Sequence, residues 1–566
     1  MRRTGPWSLL ARACQNLPPD GYSPPDHRRS LWSLRLAREA VVPRLSARRT
    51  GASGARMTLA LLTAIFAVAC LPVLMAPVLP TIDFYDHLNR YFVLAKLSYP
   101  SFLMDSYESH WSVLPNIGLD VIGSQLFSWL DPASAPRIFS TLIFAIEYGG
   151  ALAFNRVLTG KWSLMTALLI SPLLYSFIFI WGFANFLLGL SLVFWGAAAW
   201  LLLRRRLAIA TAVGAAFALV IFLTHGVAFG LYGLLLGGLE LGFFMLRREG
   251  FASFARRILA LAVQAIAPVA LFVVSATAQA SGGVTTAAQS IHQLMNRGSL
   301  ASRLGELVVY RLQTIVRVAE GPTLAFDVVT LLATGSLLAW LALRGRVSLP
   351  RETWIALLIG AVLVAVVPPA MFGVGYVSDR MPLFFALLLV GSLSFNLRLD
   401  RYDAIPVVLI TLLVVGRIGY IGQDWRRYAP DVRDYRAVAS RIPPHRVVNF
   451  INVSLQPRLG PQRRCEMYGP MLISMYGQAA ALFAIPTAQP LRLKGRLADA
   501  LRDLPEHKPF KGAEAADYYN RTLDAVIAQK RFDYSLICDA DLMGRPLPPT
   551  ADVAARQGRF TLVRIR

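Results

Sequence analysis

Long apolar stretches recur along this chain from Thr58 onward, and they limit the folds that it can adopt. A helix needs about 20 apolar residues to cross a hydrocarbon layer of about 30 Å, whereas buried helices of soluble proteins have shorter apolar runs. About eleven stretches are long enough, so the sequence predicts an all-α polytopic membrane protein with about eleven transmembrane helices. The predicted spans lie near residues 57–79, 136–155, 162–181, 183–203, 207–224, 226–246, 258–279, 323–343, 353–372, 381–397 and 404–421.

The composition agrees with a membrane protein and argues against a nucleic-acid partner. Of the 566 residues, 55% are hydrophobic and 16% are charged, whereas soluble proteins have about 25% charged residues. The net charge of +24 is concentrated in the first 56 residues and in short loops between the spans. No zinc-finger or helix-turn-helix spacing accompanies these charges. We therefore expect no nucleic acid as a partner.

The chain divides into three predicted parts. Residues 1–56 are rich in Arg, Pro and Ser, which is typical of a disordered basic segment. Residues 57–423 form the transmembrane module. Residues 424–566 are mixed polar and contain segments with strand and helix patterns, which predict a small α/β domain.

The distribution of basic residues predicts the orientation in the membrane. With the N-terminus in the cytoplasm, about 14 lysines and arginines of the short loops fall on the cytoplasmic side, and only Arg380 lies in an opposite short loop. Cytoplasmic loops of membrane proteins carry this excess of basic residues. Loops 80–135 and 280–322 and the C-terminal domain are then extracytoplasmic.

The cysteines give one prediction about the C-terminal domain. Cys465 and Cys538 would lie outside the cytoplasm, where disulfides form. The two residues therefore form a disulfide or remain as two buried free thiols. The spacing of the cysteines does not indicate a metal site.

The segment IDFYDHLNRY, residues 82–91, follows the first span and is rich in ionisable groups. In a helix, Asp83, His87 and Arg90 share one face because they are spaced i, i+4 and i+7. Asp86 is offset but lies four residues before Arg90. Such a cluster suits a general base beside an anion anchor. The alternative is an ordinary salt-bridge cluster at the membrane interface.

This segment resembles the GT-C membrane glycosyltransferases, which have an acidic residue in the first external loop shortly after the first span. The pattern Asp83-x-x-x-His87-x-x-Arg90 is similar to an uncharacterised bacterial branch of this superfamily. The resemblance covers residues 57–423. It also rests on SHWSVLPNIGLD in the same loop, FIWGFANFLLGLSL at 179–192, LTHGVAFGL at 223–231 and SDRMPLF at 378–384.

The resemblance implies an enzyme of the cell (inner) membrane that transfers a sugar from a polyprenyl-phosphate donor to an extracytoplasmic glycan, lipid or protein. Asp83 would be the general base of an inverting displacement, with His87 orienting either Asp83 or the acceptor and Asp86 as a further acidic candidate. Arg90 and Arg380 would hold the departing phosphate. No cofactor is firmly implied, although a divalent cation remains open.

Four further residues are predicted to bind substrate. His225 interrupts an apolar run at the outer end of a span, with helix capping as the alternative. Trp181 and Asn185 lie in a short external turn, where a tryptophan can instead anchor the chain at the interface. Asp379 precedes Arg380 in the SDRMPLF segment.

The 300–320 segment has the pattern of an amphipathic helix at the membrane interface, suited to admit a lipid phosphate. Its apolar side contains Leu304, Leu307, Val308, Ile315 and Val316, and its polar side contains Arg303, Glu306, Tyr310, Gln313 and Arg317.

Two other classes of function compete with the transferase. A transporter or lipid flippase would have ionisable residues near the membrane midplane and internal repeats. Only Asp327, Glu240 and Glu147 fit the first criterion. A catalytically silent assembly protein of the same fold is the other alternative.

Overall fold

A computed structural model describes most of the chain after residue 51. The described residues are 52–98, 101–112, 115–279, 300–371, 375–398, 400–453, 464–480, 490–505, 513–544, 546–548 and 551–565. Residues 1–51 of the predicted disordered segment lie outside these ranges, and so do residues 280–299 of the predicted loop 280–322.

The described part is mainly helical. Its helices are α1 (Ala52–Met75), α2 (Phe84–Lys96), α3 (Gly118–Leu126), α4 (Ala135–Thr159), α5 (Leu164–Ile170), α6 (Phe177–Trp181), α7 (Ala184–Leu203), α8 (Leu207–Thr224), α9 (Gly226–Leu246), α10 (Phe251–Gln279), α11 (Leu300–Val316), α12 (Leu324–Leu343), α13 (Trp354–Val366), α14 (Val377–Ser392), α15 (Arg401–Arg426), α16 (Ala429–Ala439), α17 (Tyr468–Tyr476), α18 (Gly495–Arg502) and α19 (Ala513–Gln529).

Within the described residues, nine helical segments are long and apolar enough to span a membrane. The other two predicted spans correspond to α13, with 13 residues, and α14, with 16 residues. Both are shorter than the typical spanning length. The helical multi-pass fold is confirmed, whereas the count of eleven spans remains a prediction. The nine segments are Gly54–Met75, Ala135–Thr159, Leu164–Trp181, Ala184–Leu203, Leu207–Thr224, Gly226–Leu246, Phe251–Ser275, Leu324–Leu343 and Arg401–Ala439.

The C-terminal region contains the predicted small α/β fold. The strands of the chain are β1 (Tyr107–Ser109), β2 (Val347–Ser348), β3 (Ser394–Phe395), β4 (Val447–Asn452), β5 (Ala479–Ala480), β6 (Leu491–Leu493), β7 (Tyr534–Cys538), β8 (Asp552–Gln557) and β9 (Phe560–Arg564). A five-stranded sheet has the order β5-β4-β7-β9-β8, with β5, β4 and β7 parallel and β9 antiparallel to β7 and β8. Two pairs of short strands, β1 with β6 and β2 with β3, lie outside this sheet.

The C-terminal domain packs on the loop that follows the first span. Strand β1 of the loop pairs antiparallel with β6 of the domain. The N–H of Ser474 donates to Oδ1 of Asn89, which joins α17 to α2 with a distance of 3.1 Å. The loop and the domain therefore lie at the same end of the bundle, which agrees with their predicted location on one side of the membrane.

A disulfide joins Cys465 and Cys538, whose Cα atoms are 6.4 Å apart. Of the two alternatives that the sequence leaves open, a disulfide or two buried free thiols, the structure has the disulfide. Cys538 is the last residue of β7, at the centre of the sheet, so the bond ties the segment before α17 to the rigid part of the domain.

The charged residues inside the spans have different surroundings. Asp327 accepts from Arg417 at 2.5 Å, and Glu240 accepts from Arg204 at 2.8 Å. Both pairs are largely removed from solvent, where an unpaired charge would be strongly destabilising. The buried carboxyl of Glu147 has no hydrogen-bond partner among the described residues.

Candidate functional site

Asp83 immediately precedes α2, after the first span. Its backbone N–H donates to the carbonyl oxygen of Trp181 at 2.8 Å, and the N–H of Ile82 donates to Ile180 at 3.1 Å. An aspartate in this position usually caps the helix with its carboxylate. Here the Asp83 side chain makes no capping hydrogen bond. The carboxylate is therefore available for other contacts.

Gly182 allows the turn after α6 to approach the start of α2. Its φ is +100°, and a Cβ atom at this position would lie 2.3 Å from the backbone nitrogen of Phe84. Such an approach excludes any side chain. The WGF segment thus fixes the backbone around Asp83.

Four polar side chains form a chain of contacts that ends at Asp83. Nη2 of Arg90 donates to Nδ1 of His87 at 3.0 Å, and Nε of Arg90 donates to Oδ1 of Asp120 at 2.5 Å. A guanidinium cannot accept a hydrogen bond, so Nδ1 is the acceptor and Nε2 of neutral His87 carries the hydrogen. Nε2 lies 3.3 Å from Oδ2 of Asp83.

Arg90 is held inside the protein by Asp120. The two side chains are 7% and 2% exposed. Burial acts to lower the pKa of Arg90, but Asp120 opposes this effect and the pKa lies above its ordinary value. Helical spacing favours Asp86 as the residue that braces Arg90, and Asp86 is buried on the same helix. Asp120 ends the SHWSVLPNIGLD segment, and no spacing rule in the sequence marks it as the partner of Arg90.

The remaining predicted residues lie in three places around this chain of contacts. Asn185 joins the chain of contacts indirectly, because its Oδ1 accepts from the hydroxyl of Tyr91 at 3.4 Å and its Nδ2 donates to the carbonyl of Asn116 at 3.0 Å. These contacts connect the WGFAN turn with the first external loop.

His225 and Arg380 form a second group around one aromatic ring. The ring of Phe186 lies 5.2 Å from that of His225 and 5.4 Å from the Arg380 guanidinium carbon. Burial, followed by the positive charge of Arg380, lowers the pKa of His225 well below its usual value. The alternative role of His225 is also present, because its Nδ1 accepts from the N–H of Val227 at 3.2 Å and caps α9.

A cavity of about 280 Å³ adjoins the segment that contains Asp83, although Asp83, His87, Arg90 and Arg380 are not among its lining residues. Ile82, the residue before Asp83, lines the cavity together with Trp181 and Asp379. The carbonyl oxygen of Trp181 accepts the hydrogen bond from the backbone N–H of Asp83. The hydroxyl of Tyr310, also in the lining, donates to Oδ2 of Asp379 at 2.6 Å. Two of the predicted binding residues, Trp181 and Asp379, therefore face this cavity.

The amphipathic helix α11 lies where the sequence predicts it. Tyr310 and Gln313 of its polar side line the cavity, while Leu307 and Val308 of its apolar side are 41% and 55% exposed. Exposed apolar side chains of a membrane protein are suited to contact lipid.

Arg317 and Arg464 are the cations among the described residues that line the cavity. Arg317 follows α11 and stacks on the ring of Phe177 at 3.9 Å, whereas Arg464 comes from the C-terminal domain. Glu320 lies between them. Its carboxylate is 3.0 Å from Nη2 of Arg317 and 3.7 Å from Nη2 of Arg464.

Sequence patterns identify only part of this cavity. Arg317 belongs to the polar side of the predicted amphipathic helix, but Glu320 and Arg464 were not predicted as site residues. Arg464 is separated from α11 by more than one hundred residues, and no local motif marks it. Its approach depends on the docking of the C-terminal domain.

The described residues contain one group of three side chains placed to share a metal ion, Cys465, Cys538 and Asp539. The two cysteines form the disulfide instead. A divalent cation at the cavity remains a prediction.

No family model and no curated protein match the chain. The chain is similar to the solved structure of ArnT from Cupriavidus metallidurans in the apo state, with 13% identity, a TM-score of 0.44 and coverage of 90% of this chain and 98% of that chain. ArnT bound to undecaprenyl phosphate gives 14% identity, a TM-score of 0.43 and coverage of 91% and 98%.

The Archaeoglobus fulgidus oligosaccharyltransferase, solved with a tethered acceptor peptide, gives 13% identity, a TM-score of 0.38 and coverage of 85% of this chain and 69% of that chain.

Proposed function

We propose that the protein is a membrane glycosyltransferase that moves a sugar from a polyprenyl-phosphate donor to an extracytoplasmic acceptor hydroxyl. The observation that carries this proposal is the carboxylate of Asp83. It is 18% exposed, makes no capping hydrogen bond and is held by the neutral imidazole of His87. A carboxylate with these properties is suited to accept a proton from a bound hydroxyl.

In the proposed reaction, Asp83 removes the proton of the acceptor hydroxyl as that oxygen attacks the anomeric carbon. The bond between the anomeric carbon and the phosphate oxygen breaks, and its electron pair leaves with the lipid phosphate. One base is sufficient because phosphate leaves without protonation, whereas glycoside hydrolysis typically uses two carboxylates. The configuration at the anomeric carbon is inverted.

Arg317 and Arg464 are the proposed ligands of the phosphate. Guanidinium groups form charge-assisted, often bidentate hydrogen bonds with phosphate oxygens. Both arginines line the same cavity as Ile82 and Trp181. Arg90 is better suited to orient His87, because it is buried and paired with Asp120. Arg380 remains a second candidate for contact with substrate.

The cavity also has surfaces for the two parts of the donor. Trp181, Tyr376 and Trp425 line it, and aromatic faces of this kind stack on the apolar faces of sugars. The exposed apolar side of α11 provides a route along which the lipid tail can remain in the membrane while the phosphate enters.

Mass spectrometry of lipid-linked sugars and envelope glycans in cells with and without the protein tests this proposal. We expect loss of the protein to remove one sugar modification and to increase the amount of its polyprenyl-phosphate donor. Identical glycan profiles in the two strains would contradict the proposal and favour the silent assembly protein.

A further inference from the structure

Glu320 occupies the place between the two arginines of the cavity. Nη2 of Arg317 donates to both carboxylate oxygens, at 3.0 and 3.2 Å. Nη2 of Arg464, which belongs to the C-terminal domain, lies 3.7 Å from the same carboxylate. The arrangement places one negative group between two guanidinium groups.

Arg464 keeps free hydrogen-bonding capacity for an anion. Glu320 is the carboxylate placed within ion-pair distance of both arginines, and Asp424 is a second acidic residue of the lining near Arg464. Nη1 of Arg464 is buried and has no hydrogen-bond partner among the described residues. A phosphate has three acceptor oxygens and a larger negative charge than a carboxylate, so it is the stronger ligand for two arginines.

The backbone of Glu320 is fixed separately from its side chain. Its N–H donates to the carbonyl oxygen of Tyr175 at 2.7 Å. The carboxylate can therefore leave the arginines by rotation of side-chain bonds, without movement of the turn that carries it.

We propose that Glu320 is an internal counter-anion that holds Arg317 and Arg464 in the absence of substrate and is displaced when a phosphate-bearing ligand binds. This inference rests on the proposed function, because it assumes that the two arginines form the phosphate site. Glu320 prevents weakly bound anions from occupying the site and makes occupancy depend on a ligand that competes with its carboxylate.

Binding of dodecyl phosphate to the purified full-length protein in a non-ionic detergent, measured by isothermal titration calorimetry, tests this inference. Glu320→Gln removes the competing charge but preserves the shape of the side chain. We expect it to tighten binding by about threefold or more, the range of a partly exposed ion pair. Glu306→Gln is the matched control, because Glu306 is an exposed acidic residue on the preceding helix, and it should leave the affinity unchanged.

Arg464→Gln separates the two proposals. Suppose that Arg464→Gln weakens the binding of dodecyl phosphate but Glu320→Gln does not tighten it. This result overturns the role of Glu320 and leaves the phosphate site intact. If neither Arg464→Gln nor Arg317→Gln weakens binding, the phosphate site itself is misplaced and the inference fails with it. Thermal unfolding of each variant verifies that it is folded.

Inorganic phosphate, titrated in the same series, identifies which source of phosphate the site accepts. A gain in affinity of Glu320→Gln for dodecyl phosphate supports the proposal, and no gain for dodecyl phosphate overturns it. A parallel gain for the inorganic ion shows that the site recognises the phosphate group without its lipid chain.

Discussion

Nε2 of His87 lies 3.3 Å from Oδ2 of Asp83, and His87 follows Asp83 by four residues along the chain. The hydrogen on Nε2 points to Asp83 because Arg90 donates to the other ring nitrogen. Asp120 in turn holds Arg90. The orientation of the proposed base therefore depends on a buried ion pair that does not itself reach the cavity.

Asp120→Asn should destabilise the protein, because it leaves the buried guanidinium of Arg90 without its carboxylate. Breaking a buried ion pair in this way lowers the free energy of unfolding by about 3 kcal/mol. The measurement is the thermal unfolding midpoint of the purified protein in detergent. Asp517→Asn is the control, since its pair with Arg521 is more than half exposed on both sides and should contribute little. Equal midpoints for the two variants would contradict the structural role of Asp120.

The lowered pKa of His225 predicts how stability depends on pH. The folded state favours the neutral imidazole, so the contribution of His225 is complete above the unfolded pKa of about 6.5 and is lost as the pH falls toward the lower pKa of the folded protein. We expect the unfolding midpoint to decrease from pH 7 to pH 5.5. His225→Asn retains a good helix cap and should reduce this decrease. The same pH dependence in both proteins would argue against the burial of a neutral His225.

The disulfide should affect phosphate binding because it fixes the residue that follows Arg464. Conversion of both Cys465 and Cys538 to serine releases this segment from β7. We expect weaker binding of dodecyl phosphate, with much less effect from Cys70→Ala, since Cys70 is a free buried cysteine far from the domain in sequence. Unchanged affinity in the double variant would show that Arg464 is positioned without the disulfide.

The orientation in the membrane is open to a direct test. Reporter fusions after Arg248 and after Arg426 should report the cytoplasm and the opposite side, respectively, because the basic loops lie on the cytoplasmic side. If both fusions report the same compartment, the predicted topology is wrong and the extracytoplasmic location of Asp83 is contradicted.

Hydrophobic patterns are sufficient to predict the nine long apolar helices of the described residues, since length and apolarity are local properties of the sequence. The other two predicted spans correspond to the shorter helices α13 and α14. The C-terminal strands are also predictable, because β4, β7 and β9 are short, mostly buried runs rich in apolar, β-branched and aromatic residues, and such composition is a local signal. Helical spacing alone predicts that Asp83 and His87 lie together, and the contact between their side chains confirms this prediction.

The cavity could not be predicted in the same way. Glu320 and Arg464 meet only because the C-terminal domain docks on the first external loop through β1, β6 and Asn89. No spacing rule in the sequence relates such distant residues. The partner of Arg90 was missed for the same reason, since Asp120 belongs to another helix.

The central claim is that the basicity of Asp83 drives sugar transfer, and Asp83→Asn tests it most directly. The change preserves the shape of the side chain, so membrane level and unfolding midpoint should match those of the parent protein. Transfer, measured as formation of the glycan that disappears in cells without the protein, should fall by about 10²-fold or more. Asp86→Asn should have a smaller effect, because Asp86 is offset from the helix face that Asp83 and His87 share. Full transfer by Asp83→Asn would contradict the account: loss with Asp86→Asn alone would move the base to Asp86, and no loss with either variant would remove the transferase proposal.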